Sequence, residues 1–139
     1  MRKKNILVIL SVFFILVVSF VLVSIFAKDY RISKQDSYIA YSGGIDLYHA
    51  SREELIELDL CKYSEVFGEV KNAKEAAGIA AKVIEKVYGK EESPYIVKLN
   101  ETANAWIVYG SLPAFHLGGV AAIAIDKETG EIIMLLHTK

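Results

Sequence analysis

From Ile6 to Ala27 the chain runs 22 residues without a charge, a proline or a glycine, directly after Met1-Arg2-Lys3-Lys4-Asn5. Rising ~1.5 Å per residue, a helix of this length spans about 33 Å, enough for a hydrocarbon core of ~30 Å. In lipid, a helix is the form in which one isolated segment satisfies its own backbone groups. Arg2, Lys3 and Lys4 predict that the amino terminus stays cytoplasmic, so everything from Lys28 onward is extracytoplasmic. A cleaved signal peptide is the competing reading. The run is longer than the apolar core of such a peptide, about 7–15 residues. Cleavage after Ala27 would also set bulky Ile25 where a small residue is wanted, and no cysteine ends the run to make a lipoprotein signal. A retained single-pass anchor over residues 1–27 is the expectation.

Of the 139 residues, 27 belong to that segment and 112 remain, room for one domain. Three of the 16 Lys/Arg precede the run, leaving 13 against 17 Asp/Glu, a net of −4. That balance excludes a nucleic-acid surface, which needs a basic stripe. Cys61 is the single cysteine, so no intrachain disulfide can form. It reads as a small buried hydrophobe, with an intermolecular disulfide as the alternative.

Residues 28–50 lack a periodic pattern and read as a membrane-proximal linker entering a short extended segment; the domain proper is expected over 51–139. Ser51-Arg52-Glu53-Glu54 is a capping box opening a short helix to about Leu60, with Leu55, Ile56 and Leu58 as its apolar side. Residues 61–71 are ambiguous. Asn72, with Glu75 three positions on, caps a longer helix. Its Ala73, Ala76, Ala77, Ala80, Val83, Ile84 and Val87 repeat at three- and four-residue steps and share one face. Lys74, Lys82, Glu85 and Lys86 fall mainly opposite, and Gly89 ends the helix.

Past Pro94 the period becomes strand-like. Strands are expected over 95–99, 105–109, 120–125 and 131–137. The turns between them are 100–104, a longer connection at 112–119, and a hairpin at 126–130 whose Gly130 takes positive φ. The fold class is α+β, with one helix packed on a curved four-stranded antiparallel sheet.

Chemistry-bearing patterns are scarce. His49, His116 and His137 lie far apart and without a helical-spacing partner, which is not the pattern of a metal site. Ser111 and His116 are near in sequence, but no strained elbow motif frames the serine. Gly118 and Gly119 lack the other glycines and the lysine of a phosphate loop. Glu53, Glu54, Glu57 and Asp59 read as a solvated helix face or an acidic surface for a basic partner. Trp106 and Tyr109, three apart on a strand, face opposite ways. Neither metal nor cofactor is expected. Tyr109, Phe115 and His116 are candidate partner contacts, and Trp106, Gly110, Pro113, Gly118, Gly119, Gly130 and His137 are framework positions.

Several stretches together resemble a known family. They are Asn72-Ala73-Lys74-Glu75-Ala76-Ala77 running to Val87-Tyr88-Gly89, and Ser93-Pro94-Tyr95. Trp106-Ile107-Val108-Tyr109-Gly110, Gly118-Gly119-Val120, Ile125 to Ile132 and His137-Thr138-Lys139 follow in order. In this order residues 72–139 resemble the nuclear-transport-factor-2-like fold immunity proteins of bacterial polymorphic toxin systems. That resemblance implies a protein without enzymatic activity that binds and blocks a cognate toxin domain. The hairpin Ile125-Asp126 to Gly130-Glu131-Ile132 also looks like PepSY-type domains, which would imply a regulatory or inhibitory module acting on a protease or cell-wall enzyme. A third reading is an enzyme with Tyr109, His116 or Asp126 at the mouth of a pocket. The leading expectation is a membrane-tethered immunity protein.

Overall fold

The computed structural model describes residues 2–26, 41–42, 44–90, 94–111 and 119–137. Helix α1 (Arg2–Phe26) holds the apolar run, and its described side chains from Arg2 to Val21 are exposed all round. It is long and apolar enough to cross a membrane, and a signal sequence meets the same description.

The two-residue strands β1 (Tyr41–Ser42) and β2 (Ile45–Asp46) pair antiparallel. Helix α2 (Arg52–Leu58) begins at the expected capping box: Ser51 Oγ accepts from Glu54 N–H, and Ser51 N–H donates to Glu54 Oε2 at 2.8 Å. Helix α3 (Ala73–Tyr88) begins at Asn72, whose Oδ1 accepts from Glu75 N–H at 2.9 Å. The Glu75 carboxylate reaches back to Lys71 N–H, one residue before the cap. Gly89 ends α3 at φ +94.

Strands β3 (Ile96–Asn100), β4 (Ala105–Tyr109), β5 (Ala121–Asp126) and β6 (Ile132–His137) form an antiparallel meander in sequence order. Ile133 is an extra residue: Ala124 pairs with Met134 and Ile125 with Ile132. This bulge puts Ile133 and Met134 in the same core cluster.

Each sheet face carries its own core. Val108, Ala121, Ile123, Ile125 and Leu135 meet α3 through Ala76, Ala80, Ala81, Val83 and Ile84. The alanines let the helix approach closely. The face of α3 is as expected except at its end, where Val87 is partly exposed and Ala81 is buried instead. The opposite face, with Ile107, Tyr109, Ala122, Ala124 and Met134, is covered by Leu47, Tyr48, Ala50 and Leu55. That second layer was not expected: Leu47, Tyr48 and Ala50 fall in the stretch read as linker yet are core residues. Asn100 explains why they stay there. It is wholly buried, and its Nδ2 donates to the carbonyls of Leu47 and Ala50, both at 2.8 Å. Its Oδ1 accepts from Ala103 N–H at 3.0 Å, so one amide ties two loops.

The short helix ends at Leu58 and not at Leu60, and residues 59–70, which include most of the ambiguous stretch 61–71, lie along the β6 edge and the β5–β6 hairpin. Asp59 Oδ1 accepts from Leu135 N–H, and Leu60 N–H donates to Leu135 O. Farther on, the N–H groups of Phe67, Gly68 and Val70 donate to the carbonyls of Gly130, Thr129 and Lys127. Trp106 Nε1–H donates to Val70 O at 2.9 Å. An edge strand that would otherwise offer unpaired backbone groups is thereby partly covered.

Candidate functional site

Trp106 and Tyr109 face opposite sides of β4, as their spacing requires. Tyr109 is only 8% exposed, beside the core on the α2 side, so as a candidate contact it is a supporting side chain rather than a surface anchor. Gly110 closes the strand end, its N–H donating to Ala121 O. Pro113, Phe115, His116 and Gly118 lie outside the described residues. Ser111 Oγ–H donates to Pro94 O, which fastens the approach to β3.

Four of the polar groupings among the described residues bring titratable side chains together. Asp46 accepts from Tyr48 N–H and pairs with His49 Nδ1 at 2.6 Å. The His49 bond is the main cause holding the Asp46 carboxyl below its ordinary value. Tyr48 is buried under Lys98, whose Nζ lies 5.1 Å from the ring centroid. Burial first, then the charge of Asp46, pushes this phenol up to about 12. Its hydroxyl has no hydrogen-bond partner among the described residues.

Arg52 joins the start of α2 to the hairpin, donating to Asp126 Oδ2 at 2.5 Å and Glu131 Oε2 at 3.2 Å. Asp126 Oδ1 accepts from Glu128 and Thr129 N–H. Burial alone would push the Asp126 carboxyl up. The Thr129 N–H, the Arg52 guanidinium and the Glu128 N–H outweigh it and hold the group low. Both oxygens of Asp126 are engaged, Oδ1 by the hairpin and Oδ2 by Arg52, which removes the carboxylate considered above for a pocket mouth. In the fourth grouping, Cys61 Sγ lies 2.9 Å from Tyr88 Oη, and the Tyr88 ring stands 5.1 Å from that of His137. Burial and then the Cys61 bond push Tyr88 up to about 12, so this hydroxyl stays protonated and is no base for the thiol.

What these arrangements can do chemically is hold the fold. Among the described residues, no group of three or more His, Cys, Asp or Glu could hold a metal. The surface of α2 is different. Leu55 is buried and Leu58 partly so, but Ile56, expected on the inward side, is 54% exposed. The signal was present in the sequence: inward Leu55 and Leu58 are three apart, and Ile56 sits ~100° round from Leu55. Beyond the helix, Leu60 is 74% exposed. Glu53 and Glu57 are exposed, without a hydrogen bond or ion pair among the described residues.

A profile of the NTF2 fold immunity proteins matches residues 75–139, which take in most of α3 and all four strands of the sheet. An Escherichia coli (strain K12) protein, "Uncharacterized protein YbbC", is 36% identical over 88 residues, covering 60% of this chain and 70% of that protein. Residues 75–139 belong to the NTF2 fold immunity protein family. No solved structure matches it. Family membership accounts for the α3-on-sheet core, whereas α1, residues 44–50, α2 and residues 59–70 precede the matched segment.

Proposed function

We propose that this chain is a membrane-tethered protein that binds a cognate toxin domain and blocks it by occupying its surface, with no chemistry of its own. The profile match over residues 75–139 carries the reading. Two further features support it: α1 has the length of a single membrane pass, and Arg52, Asp59 and Asp126 are engaged in structure. In this arrangement residues 1–27 anchor the chain, a tether follows, and the domain to residue 139 acts outside the cytoplasm. The net charge of −4 beyond the anchor suits a basic protein partner and not a nucleic acid.

Phe115 and His116 in the 112–119 connection are proposed contacts, with Tyr109 beneath. The test expresses the full chain with the toxin domain encoded beside its gene and measures survival. Protection is expected, and loss of protection at unchanged melting temperature is expected for Phe115→Ser with His116→Ser, since a few anchors dominate binding. A chain that never protects against the adjacent toxin overturns the reading.

A further inference from the structure

Among the described residues, the face of α2 turned to solvent joins two features: exposed apolar side chains and acidic side chains without a hydrogen bond or ion pair. Three large apolar residues beyond α1 are more than half exposed among the described residues: Ile56, Leu60 and Val66. Two of them, Ile56 and Leu60, flank the end of α2, Ile56 in its last turn and Leu60 two residues past Leu58. Glu53 and Glu57 stand three positions before Ile56 and one after it. Single exposed apolar residues are ordinary. What sets these apart is the frame that holds them outward.

Leu60 is not on a free loop. Its N–H donates to Leu135 O, and the adjacent Asp59 accepts from Leu135 N–H, so its backbone is fixed to β6 while its side chain projects away. Ile56 is set by α2, which Leu55 and Leu58 fix against the core and the capping box fixes at its start. A surface already held in one arrangement loses little side-chain and loop freedom on binding. On α2 itself the free charge is acidic because Arg52, the helix's one cation, is turned to Asp126 and Glu131; the exposed Lys62 lies beyond Leu60. An acidic face is repelled by anionic lipid headgroups and by nucleic-acid phosphates. A protein surface with Lys or Arg around an apolar depression complements it in both respects.

We propose that Glu53, Ile56, Glu57 and Leu60 form the docking surface for a protein partner whose contact face is basic around an apolar depression. The partner is the toxin domain of the preceding section, so this inference rests on that reading. It adds a contact on a layer that precedes the family-matched segment.

Binding is measured by calorimetry, using the full-length chain in detergent micelles and the purified toxin domain encoded beside its gene. Ile56→Ser with Leu60→Ser is expected to weaken binding about tenfold or more. Glu53→Lys with Glu57→Lys is expected to weaken it and to abolish the loss of affinity that added salt causes in the parent. Val66→Ser is the control and leaves the affinity unchanged. Melting temperature is recorded for every variant. If the serine pair lowers it, the lysine pair, which alters charge at exposed positions, decides alone. Parental affinity and salt dependence in the lysine pair overturn the docking surface while leaving the immunity reading standing. No binding by the parent chain overturns the immunity reading, and this surface with it.

Discussion

Gly130 sits where the hairpin and the incoming 66–70 segment come closest. Its φ is +70, and a Cβ there would lie 2.2 Å from Gly68 O and 2.6 Å from Gly68 N. Gly68 also has positive φ, at +82, but its own Cβ would meet nothing within 4 Å. The two glycines therefore separate conformational from steric cost. Gly68→Ala should destabilise by about 1–2 kcal/mol, the cost of a left-handed L-residue. Gly130→Ala adds a backbone collision and should cost clearly more. Since ~1 kcal/mol moves the midpoint of a domain this size by about 4–8 °C, thermal melts will resolve the pair. Asp126 gives a prediction in pH. Its folded carboxyl is held below the ordinary 3.8, so the unfolded chain binds the proton more readily. The stability it contributes is complete above the unfolded value and is lost as pH falls through the folded one. The melting difference between the parent and Asp126→Asn should therefore shrink as pH is lowered through and below ~3.9, and persist at pH 6.

At the level of elements, Ala80 and Lys82 test the phase of α3. Ala80 is wholly buried against the sheet and Lys82 is exposed. Ala80→Glu sets an unpaired charge among apolar neighbours and should cost several kcal/mol, whereas Lys82→Glu should stay within about 0.5 kcal/mol. Equal melting shifts would contradict the packing. These features were readable beforehand because each is local: a capping box, an alanine stripe, alternation along a strand. The strands begin within one residue of expectation for the same reason. What was not readable depends on distant partners. Asn100 looks like a turn residue until the carbonyls of Leu47 and Ala50, 53 and 50 positions away, are brought to it. Residues 59–70 have no internal period because their hydrogen bonds go to another strand's edge. Ile56 is inward by hydrophobicity alone and outward by phase, because the three-residue step between Leu55 and Leu58 sets it apart. The candidate contacts Phe115 and His116 lie outside the described residues, so for them the sequence remains the source of the proposal.

At the scale of the whole molecule, the apolar helix α1 and the acidic domain are joined by a stretch rich in tyrosine, serine and glycine. If α1 is retained as an anchor, the chain should sediment with membranes, resist alkaline carbonate extraction and keep its first residues. Recovery of a soluble chain beginning at Lys28 would mean that it is a signal sequence. Protease added to spheroplasts should reach the domain while the basic tip stays protected. The long-range ties of this domain also set its order of assembly. Arg52 meets Asp126 and Glu131 at separations of 74 and 79 positions, and Asp59 meets Leu135 at 76. Closing such wide loops costs entropy before any contact rewards it, and slows folding relative to a helical bundle. Helix α2, seven residues long, is marginal by itself, and its buried Leu55 has no seat until the last strands arrive. A nascent chain arrested before residue 126 should leave α2 open to protease, and release of the remaining residues should close the domain in one late step.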